Sequence, residues 1–152
     1  MNTGPIRVMA GGTGGHVYPA LAVANALKAN SRDVVWLGTH RGLESRIVPA
    51  AGIDVEWISV KGLRRKGLLA ALIAPFQIGW ALMQSLGVIL RRRPAAVLGM
   101  GGFVSGPGGV AAWLTRKPLL IHEQNAAAGL TNRLLARLAR VVLQAFPGSF
   151  NS

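Results

Sequence analysis

Six short apolar runs, each separated from the next by a stretch with helical spacing, constrain this chain more than any other feature. Ile6 to Ala10, Val34 to Gly38, Val55 to Val60, Ala95 to Gly99, Leu119 to His122 and Val141 to Ala145 are brief and rich in branched residues, as buried strands are. Between them, Val17 to Ala29 and Leu43 to Ala51 read as helices, with Pro19 acceptable in an opening turn. Leu130 to Arg140 sets Leu134, Leu135 and Leu138 against Arg133, Arg137 and Arg140. Alternating strand and helix predicts an α/β chain, a Rossmann-like doubly wound parallel sheet. With 152 residues, 51% of them hydrophobic, one domain can bury a real core. After Val141 to Ala145 the chain turns to Pro147, Gly148 and Ser149, so the domain is expected over 1–146 and an interdomain linker from 147–152.

Two of the strands run directly into glycine-rich loops. The first is Gly11-Gly12-Thr13-Gly14-Gly15-His16; the second extends from Gly99 through Gly101, Gly102, Phe103, Ser105 and Gly106 to Gly109. Each leads into a helix-like segment, which places both at the carboxyl edge of the sheet. There, unpaired N–H groups and helix dipoles favour an anion such as phosphate. His122-Glu123-Gln124-Asn125 follows the fifth strand and shares that edge. Its Asn125 can both donate to and accept from sugar hydroxyls, while His16 can move a proton near neutral pH.

Several chemistries fit poorly. The first loop lacks the last glycine of a dinucleotide fingerprint, and Gly38-Thr39-His40-Arg41 offers no carboxylate to a ribose, although Arg41 keeps a 2′-phosphate, and so an NADP-binding oxidoreductase domain, open. No Lys-Ser or Lys-Thr pair follows the first loop, which excludes a P-loop nucleotidase. The chain has no cysteine, so disulfides and thiolate chemistry are excluded. Asp54 and Glu56, the only close acidic pair, read as charge at a strand edge rather than as a metal site. The net charge of +12 draws the chain toward phosphate, nucleic acid or an anionic membrane, and the absence of a zinc or RNP-like pattern disfavours nucleic acid.

Leu68 to Leu90 carries no charge and is long enough to span a bilayer. A span would divide the flanking strands between two sides of the membrane, so it is rejected. Two readings remain for Leu72, Phe76, Trp80 and Met83, which recur at helical spacing. They form either an ordinary core stripe or an interfacial face, flanked by Lys61, Arg64, Arg65 and Lys66 before the segment and by Arg91, Arg92 and Arg93 after it.

The three strand-end motifs, in this order and at this spacing, closely resemble the amino-terminal half of the MurG family of peptidoglycan glycosyltransferases. The resemblance runs from the first strand to Phe150 and includes Val141 to Gly148. It implies half of a GT-B fold, with a second domain holding most of the nucleotide. It also implies inverting transfer of N-acetylglucosamine from UDP-N-acetylglucosamine to lipid I, giving lipid II, at the cytoplasmic face of the bacterial inner membrane, with no metal and no cofactor. The half alone is then expected to be inactive. By the same match His16 is the base, and Thr13, Gly14, Gly15 and Asn125 contact the donor. Gly101, Gly102, Ser105 and Gly106 fit the acceptor diphosphate, with Glu123 orienting the loop or the acceptor. Leu72, Phe76, Leu82 and Trp113 match parts of an apolar patch ringed by basic residues, Gly79 departs from it with Trp80 alongside, and these apolar residues with Trp80, Arg64, Arg65 and Lys66 are expected to face the membrane. A non-catalytic module that binds membrane or lipid diphosphate is the alternative.

Overall fold

The computed structural model describes residues 4–60 and 68–150, with side chains from residue 72 onward in the second stretch. Each apolar run forms a strand: β1 (Ile6–Met9), β2 (Val34–Gly38), β3 (Asp54–Trp57), β4 (Ala96–Gly99), β5 (Leu119–Glu123) and β6 (Val141–Gln144). The connections carry α1 (Gly14–Ala29), α2 (Glu44–Ala50), α3 (Leu68–Arg92), α4 (Ser105–Leu114) and α5 (Leu130–Ala136). Helix α1 begins three residues earlier than its apolar spacing suggests and takes Gly14, Gly15 and His16 into its first turn. Helix α5 stops at Ala136, short of the expected Arg140.

All strands pair in parallel, in the order β3-β2-β1-β4-β5-β6. The chain builds outward from β1 to β3, then returns through α3 to lay β4 on the other side of β1. Connections therefore diverge between β1 and β4, where Met9 lies opposite Gly99, and open α/β sheets bind ligands outside the carboxyl ends at such a point. Strand β1 alternates faces: Val8 packs with Val17, Ala20 and Ala24 of α1, whereas Met9 packs with Ile89 of α3 and Ala111 of α4. Helix α4 lies close against the sheet, because a side chain at Gly108 would collide with Met9 and Leu37.

Three features depart from the pattern-based expectation. Strand β6 is exposed along its whole length instead of buried, because it is an edge strand paired only with β5. Glu56 is not simple edge charge: it is buried, and it accepts from Arg91 at 2.9 Å and from Arg92 at 2.6 Å, tying the end of α3 to β3 while Asp54 stays exposed. Arg7, on the same sheet face as Met9, is fully buried in what reads as an apolar strand. None of its side-chain nitrogens has a hydrogen-bond partner among the described residues. Burial pushes its pKa down to about 10, with Glu56 opposing and Arg92 and Arg91 adding to the fall. Residues 147–150 form turns beside the domain: the Ala128 N–H donates to the Ser149 carbonyl at 2.7 Å, and Phe150 packs against the core.

By length and composition alone, Leu72–Arg92 would suffice to cross a membrane. Its flanking strands belong to one sheet, however, and Ala81, Ser85, Val88 and Ile89 are buried in the domain. The opposite side of α3 is bare: Leu72, Phe76, Trp80 and Met83 are each more than 60% exposed, so this stripe is not core.

Candidate active site

The first loop leaves β1 and is pinned from below by one carboxylate. Glu44, fully buried at the start of α2, accepts from the Gly12 N–H at 3.0 Å, from the Thr39 N–H at 3.0 Å and from the Thr39 hydroxyl at 2.8 Å. The indole of Trp36 donates to the Ala10 carbonyl at 3.0 Å, holding the exit of β1 against β2. Gly12 then turns with φ of 95°, and Thr13 caps α1 in an extended conformation. The Thr13 carbonyl accepts from the N–H groups of His16 and Val17, both at 3.1 Å. The N–H groups of Gly14 and Gly15 fall in the opening turn of α1, where a helix supplies no acceptor of its own. A sixteen-residue helix therefore aims its positive end and two amides along this edge.

The second loop leans directly on the first. The Met100 N–H donates to the Met9 carbonyl at 2.9 Å, which carries the β1–β4 pairing past the end of β4. Gly101 and Gly102 follow with φ of 100° and 83°. A side chain on Gly102 would strike the Gly11 backbone, and one on Gly101 would strike the His16 ring, so both the twist and the proximity demand glycine. Ser105, expected at the acceptor diphosphate, is fully buried; its hydroxyl lies 2.8 Å from the Gly101 carbonyl and 3.0 Å from that of Met9. That side chain fastens the loop to β1, and its hydroxyl is engaged by two backbone carbonyls. Gly106 is partly exposed in the first turn of α4.

The third bend completes the rim. The Gln124 amide nitrogen donates to the Met100 carbonyl at 3.0 Å and lies 2.7 Å from His16 Nδ1, so residues 16, 100 and 124 meet although they are distant in the chain. Glu123 is fully buried, and its carboxylate accepts from the Asn125 N–H and side-chain amide, each at 2.9 Å, from Asn132 at 2.9 Å and from the Gly129 N–H at 3.2 Å. Burial by itself would raise its pKa; these four donors outweigh it and hold the group below the usual carboxylate range. A buried anion with all its donors so arranged orients the Asn125 loop and has nothing to offer a diphosphate. Asn125 itself is exposed, tethered at its amide nitrogen.

Of the residues expected at the membrane, Leu72, Phe76, Trp80 and Trp113 are exposed, whereas Leu82 packs against the core margin because it lies on the inward side of α3. Lys61, Arg64, Arg65 and Lys66 lie outside the described residues. Pattern reading missed Glu44 and the role of Gln124. Glu44 carried a faint signal, as the sole acid of the segment between β2 and β3 and at a helix start; Gln124 carried none, since its partners are set by folding.

A parallel sheet of this order, with three strand-end bends joined around one imidazole, is the Rossmann-like half-domain from which GT-B glycosyltransferases are built. Over residues 6–144 the chain matches the Glycosyltransferase family 28 N-terminal domain, and it belongs to that family. It is 65% identical over 146 residues, 96% of the chain, to the UDP-N-acetylglucosamine--N-acetylmuramyl-(pentapeptide) pyrophosphoryl-undecaprenol N-acetylglucosamine transferase of Alkalilimnicola ehrlichii. To the protein of the same name from Nitrosococcus oceani it is 61% identical over 95% of the chain. The chain spans about two-fifths of these relatives, 41% and 40% of their lengths. Among solved structures, Acinetobacter baumannii MurG superposes with a TM-score of 0.86 at 43% identity, covering 98% of this chain and 43% of that one. The Streptomyces glycosyltransferase SsfS6 superposes with a TM-score of 0.64 at 16% identity, over 96% of this chain and 51% of its own, a likeness of fold alone.

Proposed function

We propose that this chain is the acceptor-facing half of an inverting transferase that moves N-acetylglucosamine from UDP-N-acetylglucosamine to lipid I, forming lipid II in peptidoglycan synthesis. The observation that carries the reading is the junction of all three bends at His16, with a helix amino terminus beside it. In this assignment the Gly14 and Gly15 amides, with Thr13, steady the negative charge that develops on the departing diphosphate, which a site without a carboxylate pair to hold a metal neutralises with backbone dipoles. Asn125 holds the donor sugar. Gly101, Gly102 and Gly106 leave the second loop low enough for the acceptor's diphosphate, and His16 takes the proton of the attacking hydroxyl.

The exposed aromatic side of α3 supports a peripheral position on the anionic cytoplasmic face of the inner membrane, where the acceptor's lipid tail resides. Its apolar residues enter the interface and basic residues hold headgroups.

The test is a chimera in which this chain replaces the aligned residues of the Alkalilimnicola ehrlichii relative. Transfer from UDP-N-acetylglucosamine to a lipid I analogue is expected, and His16→Ala should reduce turnover by about 10²–10⁴-fold without unfolding the protein. An inactive but folded chimera would refute the reading. Full turnover of the His16→Ala form would remove His16 as the base.

A further inference from the structure

We propose that Gln124 is a positioning residue that determines which nitrogen of His16 carries the proton. Its amide nitrogen holds two hydrogens. One is directed to the Met100 carbonyl at 3.0 Å, which can only accept, and the other faces His16 Nδ1 at 2.7 Å. Reversing the amide would set Oε1 against the Met100 oxygen and place the NH₂ where Oε1 now lies buried without a partner. One orientation is therefore strongly preferred. Nδ1 must then be the lone-pair nitrogen, and the neutral ring carries its hydrogen on Nε2. Gly101, with no side chain, lets this ring edge sit against the loop.

The consequence bears on the proposed transfer, on which this part of the inference rests. In the state described, His16 Nε2–H is a donor, suited to an oxygen of the diphosphate or sugar. When the acceptor hydroxyl attacks, its oxygen bonds to the anomeric carbon, and the carbon–oxygen bond to the diphosphate breaks with both electrons leaving on UDP. The hydroxyl proton can enter Nε2 only if the ring's existing hydrogen is on Nδ1. Nδ1–H requires an acceptor, which Gln124 provides only by turning its amide to the less favoured setting, Oε1 toward the ring and the hydrogen bond to the Met100 carbonyl given up, so base action by His16 carries the cost of that turn. Gln124 thus sets whether His16 donates a hydrogen bond or accepts a proton.

Long-range ¹H–¹⁵N correlation on the ¹⁵N-labelled chain reads the tautomer directly. The Nε2–H form is expected to dominate in the native sequence. Gln124→Leu should give a mixture of tautomers, and Gln124→Glu, whose carboxylate can only accept, should favour Nδ1–H; Gln124→Met serves in place of Leu if that variant does not fold. A dominant Nδ1–H form in the native chain would overturn the proposal, as would an unchanged tautomer in a folded Leu or Met variant. This outcome is separable from the transferase reading: an inactive chimera with the expected tautomers would sink the function and leave the role of Gln124 standing.

Discussion

At the scale of single residues, the site is held by side chains that never need to touch a ligand. Gly101 is the most exposed to test, since both its φ of 100° and its contact with the His16 ring resist a methyl group. Gly101→Ala should displace the imidazole, costing about 1–3 kcal/mol in backbone strain and more than tenfold in chimera turnover. Chemical denaturation and transfer assays measure the two effects separately. Glu123 makes a prediction in pH. Its folded pKa lies below the unfolded value of about 4.3, so its stabilising share is complete above that value and is lost as pH falls through the folded one. Glu123→Gln should lower stability at pH 7 by roughly 1–3 kcal/mol, because four donors lose a charged acceptor, and should flatten the decline below about pH 4.3. Urea titrations across pH 3–7 (about the range set by these carboxylate values) follow both forms.

At the scale of elements, α1 and α3 each do two things. Helix α1 packs Val17, Ala20 and Ala24 into the core while its first turn supplies the amides of the candidate site. Its early start at Gly14 matters because an apolar period begins only where a side chain meets the core, whereas the turn that borders the candidate site has none to show. Helix α3 buries Ala81, Ser85, Val88 and Ile89 and leaves Phe76 and Trp80 open, with Arg91 and Arg92 clasped to Glu56 at its end. Since the exposed side contributes nothing to the core, Phe76→Ser with Trp80→Ser should change folding stability by less than about 1 kcal/mol in total. The same pair should weaken binding to anionic vesicles by at least tenfold, as each aromatic contributes about 1.5–3 kcal/mol when buried. Flotation assays measure this. Undiminished binding would show that α3 is not the membrane face.

For the whole molecule, the buried guanidinium of Arg7 stands out because, unlike the buried carboxylates of Glu44, Glu56 and Glu123, it has no hydrogen-bond partner among the described residues. Burying a charge without hydrogen bonds is unfavourable even with a carboxylate such as Glu56 nearby, and an apolar side chain of similar length removes that desolvation cost. Arg7→Met is accordingly expected to raise stability by about 1–4 kcal/mol, seen as a higher denaturation midpoint with an unchanged slope. The gain should narrow above pH 10, where the native arginine begins to lose its charge.

The alternation of apolar runs and helical spacing determined the α/β class, the six strands and the identity of the glycine loops, because hydrophobic period and turn chemistry are local properties of the chain. Only the tertiary structure decided that β6 is bare, that Glu56 is buried beneath two arginines, that Ser105 and Leu82 face inward, and that Gln124 reaches His16 across 108 positions. Each of those outcomes depends on which strand lies at an edge or which loop lies across the β1–β4 crevice. Such neighbours are chosen when the sheet assembles, and no spacing along the chain encodes them one residue at a time.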